Sequence, residues 1–294
     1  TTEIYTLSLH DALPISTASW LATGDSITGV ESYDSKHANT GKTLTVNSYT
    51  INDGNGGTNY NVTAVNTTTS GVINQRNITV TAAANTKTYD GDTTAAGTPT
   101  LTAGSLATGD TASYSETYDT KHAGSGKTLT PVANISDGNS GGNYNVTLAT
   151  VSTGVITAKD ITVSAATNTK TYDGSVAASA TPTASWLATG DSITGVESYD
   201  SKHAGNSKTL TVNSYTITDG NLGANYHVTA VNTNTSGVIN QKDITVSAAT
   251  NTKTYDGDTT ASATPTASRL ATGDSITGAE SYDSKHANTG TTLT

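Results

Sequence analysis

One histidine recurs in each copy of the phrase Tyr-Asp-x-Lys-His, and histidine near lysine and aspartate could bind a metal ion or carry a proton. The four copies supply His37, His122, His203 and His286. A metal site draws several ligands from one framework, and one histidine per stretch of about 83 residues does not supply them. We therefore expect surface or strand-end histidines and no metal site.

Short acidic turns carry the oxygen ligands that Ca²⁺ prefers. Examples are Asp90-Gly91-Asp92 and Asp219-Gly220-Asn221, but their spacing matches no EF-hand loop, and Ser175 replaces the second aspartate in a later copy. Asp, Asn and Gly are also the ordinary residues of β-turns. We expect plain turns and no cofactor, with calcium between repeats as the open alternative.

Lys87, Lys170 and Lys253 each stand two residues before a Tyr-Asp-Gly tyrosine, and Asn240 lies near the end of a repeat. Such a lysine and asparagine can be crosslinked when a buried carboxylate assists, but a solvated lysine is the simpler expectation. The sequence contains no evident Ser-His-Asp arrangement, paired-carboxylate cleft or phosphate loop. We therefore predict no catalytic residues and no enzyme.

The chain is a tandem array, because its phrases recur in a fixed order. Tyr-Asp-Gly is found three times, each copy 83 residues after the last: Tyr89, Asp90, Gly91; Tyr172, Asp173, Gly174; Tyr255, Asp256, Gly257. Leu-Ala-Thr-Gly-Asp begins at Leu21, Leu106, Leu187 and Leu270, and Gly-Val-Ile begins at Gly71, Gly154 and Gly237. Solenoid repeats run about 20 to 50 residues, whereas about 80 can enclose a core, so each period predicts one small domain in which these motifs are structural.

The period defines four repeats. Repeat 1 is partial (17–75), repeats 2 (76–158) and 3 (159–241) are complete, and repeat 4 (242–294) is truncated. Residues 1–16 match no repeat and, read as codons, resemble a common sequencing-library adapter, so we expect an artefact there. Since the last residues match the middle of repeat 3, we expect both ends to be cuts in a longer reading frame.

The composition restricts the class of protein. The net charge is −10 and clustered Lys and Arg are absent, which argues against a nucleic-acid partner. Charged residues make up only 13 %, and the chain has no cysteine and no apolar run near the ~18 residues that would predict a membrane span. Low hydrophobicity also marks disordered chains, but regular tyrosines and branched aliphatic residues oppose that interpretation.

Alternating β-branched and aromatic residues predict short strands separated by Asp, Asn and Gly turns. About six or seven strands per repeat favour an all-β fold of tandem small antiparallel modules, immunoglobulin-like or alternatively β-grasp-like. Candidate core residues of repeat 3 are Ile161, Val163, Tyr172, Trp186, Leu187, Ile193, Val196, Tyr199, Leu210, Val212, Tyr215, Ile217, Tyr226, Val228, Val231, Val238 and Ile239. Because no Gly/Pro linker separates Gly237 from Val246, we expect an elongated rod.

The recurring Tyr-Asp-Gly and Gly-Val-Ile…Ile-Thr-Val phrases resemble the YDG and MBG-type repeat modules of large bacterial surface exoproteins, which are similar to filamentous haemagglutinin-like adhesins. The resemblance covers residues 17–294 and implies a non-enzymatic stalk or adhesin region that is extracellular, on the bacterial cell surface or secreted. Its implied partners are neighbouring repeats and a host or environmental surface ligand. Spacer modules of a secreted enzyme remain one alternative. Glycan-binding modules that use Trp20 and Trp186 remain another, although Ser105 replaces the tryptophan in repeat 2.

Overall fold

The structure is a computed structural model that describes residues 18, 20–63, 65, 67–287 and 290–294. The segment 1–16, where the sequence predicts an adapter artefact, lies outside these residues. The chain divides into two compact units. Unit 1 comprises the described residues up to Thr86 together with Thr93–Asp119 and Gly126–Gly154, and unit 2 comprises Lys87–Asp92, Thr120–Ser125 and Val155–Thr294.

Every regular element in the described part of the chain is a β-strand, so the all-β prediction is confirmed. Repeat 1 contains β1 (Ser26–Tyr33), β2 (Asn39–Asn52) and β3 (Thr68–Ile73). Repeat 2 contains β4 (Arg76–Thr81), β5 (Thr86–Thr88), β6 (Thr94–Ala95), β7 (Thr100–Ala103), β8 (Thr111–Tyr118), β9 (Gly124–Ser136), β10 (Tyr144–Ala149) and β11 (Val151–Thr157). The many short strands fit tandem small β modules.

Repeats 3 and 4 continue the same order. Repeat 3 contains β12 (Lys159–Ser164), β13 (Thr169–Thr171), β14 (Ala177–Ala178), β15 (Thr183–Ala184), β16 (Ser192–Tyr199), β17 (Gly205–Thr218), β18 (Tyr226–Asn232) and β19 (Asn234–Asn240). Repeat 4 contains β20 (Val246–Ser247), β21 (Thr260–Ala261), β22 (Thr266–Ala267) and β23 (Glu280–Ser281). Among the described residues, no helix long and apolar enough to cross a membrane is found.

Repeat 3 forms two sheets, with strand orders β15-β12-β18 and β13-β19-β17-β16-β14. The prediction of antiparallel pairing is correct for β16 with β17 but wrong for two pairs, since β12 pairs with β18 and β13 with β19 in parallel. A parallel pair needs a long crossover. The intervening strands of the other sheet supply this crossover between β12 and β18. The two sheets of repeat 3 favour the sandwich over the β-grasp alternative.

Unit 1 uses the same pairings. Its strand β4 lies between β10 and β7, with β10 parallel and β7 antiparallel. Strands β6, β8 and β9 pair antiparallel in a separate sheet, and repeat 1 contributes β1-β2-β3. The repeats in the two units are therefore built to one plan.

The centre of repeat 3 holds many of the residues that alternation predicted. Tyr199, Leu210 and Ile239 are buried and pack together with Ala165, which follows β12. Four predicted core residues are instead exposed, so that part of the prediction is wrong: Trp186, Val196, Tyr215 and Val231. The exposure of Val196 on β16 follows from the alternation of side chains between the two faces of a strand. Since Ile193 and Tyr199 point inward, Val196 must point outward.

Candidate functional site

The aspartate of Leu-Ala-Thr-Gly-Asp is the centre of a polar cluster that recurs along the described part of the chain. In repeat 3 this residue is Asp191, which closes a turn by donating its backbone N–H to the carbonyl of Ala188. Its side chain is buried. The hydroxyl of Tyr226 donates to its Oδ2 at 2.5 Å and accepts from the N–H of Ala188 at 2.9 Å. The turn and the strand β18 thus hold the carboxylate in one position.

The preceding repeat reaches the same carboxylate. Tyr89, the tyrosine of its Tyr-Asp-Gly phrase, donates its hydroxyl to Oδ2 of Asp191 at 2.9 Å. The ring of Tyr89 meets the ring of Tyr226 edge-on, with 5.4 Å between centroids. Lys121, from the Tyr-Asp-x-Lys-His phrase of repeat 2, lies 4.0 Å from Oδ1. The buried carboxylate of Asp191 therefore accepts one tyrosine hydroxyl from repeat 2 and one from repeat 3, and it lies near a lysine of repeat 2.

His122 lies beside this cluster and contacts Asn225 of repeat 3. The N–H of Ala123 donates to Oδ1 of Asn225 at 2.8 Å, and this hydrogen bond fixes which end of the amide is oxygen. The amide Nδ2 consequently faces Nδ1 of His122, at 3.3 Å. The predicted surface or strand-end histidine is therefore a contact residue between two repeats.

A loop in repeat 3 fixes Asn225 for this contact. Asp219 accepts the backbone N–H groups of Asn221 and Gly223 at Oδ1 and of Asn225 at Oδ2. Burial opposes ionisation of Asp219, but these three hydrogen bonds outweigh it and lower its pKa. The predicted acidic turn is thus a carboxylate-closed loop, in which backbone N–H groups occupy the oxygen lone pairs that a calcium ion would need.

The same contacts join repeat 1 to repeat 2. Ala38 donates its N–H to Oδ1 of Asn143 at 2.9 Å, and Nδ2 of Asn143 lies 3.4 Å from Nδ1 of His37. Tyr144 donates to Oδ2 of Asp110 at 2.6 Å, and Lys36 of repeat 1 lies 3.6 Å from that carboxylate. In this arrangement the Lys and His of one repeat contact the Asp, Asn and Tyr of the next repeat. We call it the inter-repeat joint.

Part of the joint is present between repeats 3 and 4. Tyr172 hydrogen-bonds Asp274, and Lys202 lies 3.9 Å from the same carboxylate. Repeat 4 contributes no Asn-Tyr pair within residues 242–294. Residues of Tyr-Asp-x-Lys-His and Leu-Ala-Thr-Gly-Asp therefore face each other across all three boundaries between repeats, and the tyrosine of Tyr-Asp-Gly joins them at the second and third boundaries.

Burial within the joint suppresses ionisation of its tyrosines. Burial, together with the hydrogen bond to Asp191, raises the pKa of Tyr226 to about 12 and that of Tyr89 further. Tyr89 is 1 % exposed, whereas Tyr255, which has no later repeat against it in the described chain, is 61 % exposed. The following repeat thus provides the burial of the Tyr-Asp-Gly tyrosine.

The Tyr-Asp-Gly glycine has two reasons to be glycine. Gly91 has φ +91°, a left-handed conformation that side chains rarely adopt. A Cβ added to it would lie 2.7 Å from the Cβ of Ala188, in the turn of the next repeat. The phrase therefore supplies a tight turn and a close approach at the joint.

The lysine before Tyr-Asp-Gly closes that turn. Lys170 donates to the carboxylate of Asp173 at 2.8 Å and to the carbonyl oxygens of Ser175 and Ala177. The hydrogen bond from Lys170, followed by that from the backbone N–H of Ser175, lowers the pKa of Asp173 to about 2. The expectation of a solvated lysine is wrong, since the side chain is largely buried. Asn240, the suggested crosslinking partner, is not among the described hydrogen-bond partners of Lys170.

The glycine of Gly-Val-Ile makes room for the tyrosine of Tyr-Asp-x-Lys-His. A Cβ on Gly237 would lie 2.9 Å from the Lys208 carbonyl oxygen and 3.0 Å from Cε1 of Tyr199. The Tyr199 hydroxyl donates to Oδ1 of Asn168 at 2.6 Å. These two motifs therefore meet inside one repeat.

A buried glutamate is a residue that the sequence reasoning missed. Glu197 is fully buried, and its Oε1 accepts the N–H of Ala166 at 2.8 Å. Glu116 and Glu280 are buried in the same way and accept from Ala83 and Ala249. The available signal was a glutamate two residues before the tyrosine in every Tyr-Asp-x-Lys-His phrase.

The two tryptophans named as candidate ligand contacts lie in different surroundings. Trp186 is partly exposed, and its ring centroid lies 6.2 Å from the ring centroid of Tyr226. Nζ of Lys159 lies 5.6 Å from the centroid of the Trp186 ring. Trp20 is almost fully exposed. Their role in ligand binding stays a prediction.

The architecture defines a tandem array of small all-β modules joined by a recurring polar contact. A comparison with protein families agrees with this class, since the YDG domain model matches residues 74–153 and 157–235. These matches cover more than half of the chain, which therefore belongs to the YDG domain family, a family of non-catalytic modules. No curated protein and no solved structure matched the chain.

Proposed function

We propose that the chain is a non-enzymatic structural and adhesive repeat region of a bacterial surface or secreted adhesin of the filamentous haemagglutinin-like type, acting as an extended stalk outside the cell. The observation that carries the proposal is the inter-repeat joint. Asp191 and Asn225 of one repeat engage Tyr89 and His122 of the repeat before it. The side chains best suited to chemistry are engaged in holding successive repeats together.

A fixed joint is what a stalk requires, because loosely linked modules do not keep a ligand-binding end at a distance from the cell. The joint between repeats 2 and 3 excludes solvent from Tyr89 and Asp191 and contains several directional hydrogen bonds. Repeating a weak contact along an array also raises avidity for a surface ligand. Both effects favour a mechanical and adhesive role for the array.

Small-angle X-ray scattering of the full chain, with and without calcium, tests the proposal. We expect a rod-like profile that does not change with calcium. In the double variant Tyr89→Ala/His122→Ala, we expect a shorter and more flexible particle, since the joint between repeats 2 and 3 is lost. The matched variant Tyr255→Ala/His286→Ala changes the same motif residues where both side chains are exposed, and it should scatter like the unsubstituted chain. A random-coil or spherical profile of the unsubstituted chain would contradict the stalk.

A glycan-binding role is a second candidate, and the partly exposed Trp186 beside Tyr226 favours it. Sugars stack on exposed aromatic rings, and Lys159 lies at the same ring. Binding to a glycan array that is lost in Trp186→Ala, but kept in Tyr215→Ala on β17, would support this role. Absence of glycan binding by the unsubstituted chain would exclude this role.

Spacer modules of a secreted enzyme would use the same joint, so the joint does not separate the two roles. The adjoining sequence does separate them. A secretion or anchoring domain in the same reading frame supports the adhesin, and a hydrolase domain supports the spacer.

A further inference from the structure

The loop that follows β2 in repeat 1 contains the only Asn-Gly pair of the sequence, Asn55-Gly56. Asp53 closes this loop, because it accepts the backbone N–H groups of Asn55 and Gly57 at Oδ1 and that of Asn59 at Oδ2. The carboxylate-closed loop of repeat 3 has the same hydrogen bonds. The two loops therefore hold their backbones in the same way.

The residue after the first loop asparagine differs between the repeats. It is Gly56 in repeat 1, Ser140 in repeat 2 and Leu222 in repeat 3, and its φ is +65°, +53° and +56°, respectively. All three residues thus lie in the left-handed region, and only the glycine has no Cβ. The backbone nitrogen that follows Asn55 is therefore the least hindered of the three.

The N–H of Gly56 is not used to hold the loop. The N–H groups on either side of it, those of Asn55 and Gly57, both donate to Asp53. Within the described part of the chain, the N–H of Gly56 donates to no acceptor. A backbone nitrogen next to an asparagine can attack the side-chain amide carbon, because the product is an unstrained five-membered ring. Gly56 supplies such a nitrogen, without a side chain and without a competing hydrogen bond.

We propose that Asn55 is a site of spontaneous deamidation. The nitrogen of Gly56 gives its proton to water and bonds to Cγ of Asn55, the Cγ–Nδ2 bond breaks, and Nδ2 takes up a proton and leaves as ammonia. Water then opens the cyclic imide at either carbonyl carbon. Breaking the bond from nitrogen to Cγ yields aspartate, and breaking the bond from nitrogen to the main-chain carbon yields isoaspartate. The net reaction consumes one water, releases one ammonia and adds one negative charge to the loop.

The modification removes a contact that holds the loop together. Nδ2 of Asn55 donates to Oδ1 of Asn59 at 2.9 Å, and an ionised carboxylate has no hydrogen to donate there. The new negative charge also lies in the same short loop as the carboxylate of Asp53. Tyr60, which follows Asn59, donates to the carboxylate of Asp25 at 2.6 Å. Deamidation therefore loosens the segment that places Tyr60.

Repeats 2 and 3 use the same amide contact at their joints. Asn139 donates to Oδ1 of Asn143 at 3.0 Å, and Asn221 donates to Oδ1 of Asn225 at 2.9 Å. Asn143 and Asn225 are the asparagines that contact the preceding repeat. The serine and the leucine that follow the first asparagine in these loops hinder the attack and so protect both joints.

Peptide mapping by mass spectrometry tests the proposal. The full chain is incubated in mildly alkaline buffer beside a synthetic peptide of residues 49–62, and the digests are compared over time. Replacement of NH₂ by OH changes the mass, whereas isomerisation at Asp53-Gly54 does not. We expect aspartate and isoaspartate at Asn55, faster at higher pH because the attacking nitrogen must lose its proton, and much slower reaction at Asn139 and Asn221.

Two variants exchange the residue after the asparagine. Gly56→Ser should slow deamidation of Asn55 several-fold, and the fold should tolerate it because Ser140 has the same left-handed conformation. Ser140→Gly should accelerate deamidation of Asn139. The proposal would be overturned by a chain in which Asn55 stays intact while the peptide reacts. It would also be overturned by reaction rates that neither variant changes.

Amide hydrogen exchange tests the structural consequence. The amides of Gly57 and Asn59 donate to Asp53, so they should exchange faster in the deamidated chain than in Gly56→Ser incubated in the same way. Equal exchange in the two samples would contradict the loosening of the loop.

Discussion

The hydroxyl of Tyr89 donates a hydrogen bond of 2.9 Å to the carboxylate of Asp191, a residue 102 positions further along the chain. Tyr226 donates to the same oxygen atom from within the repeat of Asp191. Because one atom accepts from both repeats, loss of either phenol changes the environment of the other. The stability of adjacent repeats is therefore coupled through Asp191.

Asp191→Ala should destabilise the chain by about 3 kcal/mol, because it leaves two buried hydroxyl groups without their charged acceptor. Urea unfolding followed by circular dichroism measures the change in the free energy of unfolding. Asp160→Ala is the matched control, since this exposed aspartate contacts only the exposed His227 among its described partners. The control should change stability by no more than about 0.5 kcal/mol. Equal effects of the two substitutions would contradict a special role for Asp191.

The joint should lose stability in alkali. The pKa of Tyr226 is raised from 10.0 to about 12, so the folded state holds this proton more tightly than the unfolded state. The stabilisation is fully present below pH 10.0 and is lost as the pH rises through about 12. We expect the urea midpoint to fall across this range, and to fall less steeply in Tyr226→Phe. Identical pH profiles of the two proteins would contradict the assignment.

His122 should carry its proton on Nε2. The amide Nδ2 of Asn225 is a donor, so Nδ1 of His122 must accept and is unprotonated. Long-range ¹H–¹⁵N NMR spectra at pH 8 distinguish the two tautomers. His286 has no asparagine of this kind in the described chain and serves as the internal comparison. A protonated Nδ1 on His122 would show that the contact with Asn225 is wrong.

Gly237→Ala should destabilise repeat 3 by about 1 to 3 kcal/mol, because the new methyl group overlaps a backbone oxygen and the ring of Tyr199. Thermal unfolding measures the shift in midpoint. Gly205→Ala lies on β17, where the nearest atom to the added Cβ is 3.9 Å away, and it should change little. A Gly237→Ala protein as stable as the control would mean that the strands separate more easily than the packing implies.

The sequence could predict the β class, the turns and part of the core because these depend on local patterns. Ile161, Val163 and Leu210 alternate with polar residues, and all three are buried. Parallel pairing of β12 with β18 was not predictable in this way, since the two strands are separated by most of a repeat. The burial of Glu197 was not predictable, because a glutamate on a strand normally faces solvent.

In the sequence, the residues of the joint are evident only as motifs that recur at a fixed spacing. A sequence does not state which copies of two motifs meet, so the histidine and tyrosine phrases do not reveal that they contact another repeat. Repeat 3 contributes Asp191 to one boundary and Tyr172 to the next, so its motifs belong to two different contacts. Distances across repeats were needed to separate them.

The two sides of the joint are chemically different, which gives the array a polarity. The earlier repeat presents Tyr89, Lys121 and His122, and the later repeat presents Asp191 and Asn225. The interface is therefore heterologous, and one more period reproduces both of its sides. In-frame duplication or deletion of whole periods therefore leaves every remaining boundary intact. The number of repeats can therefore change without any new kind of contact between them.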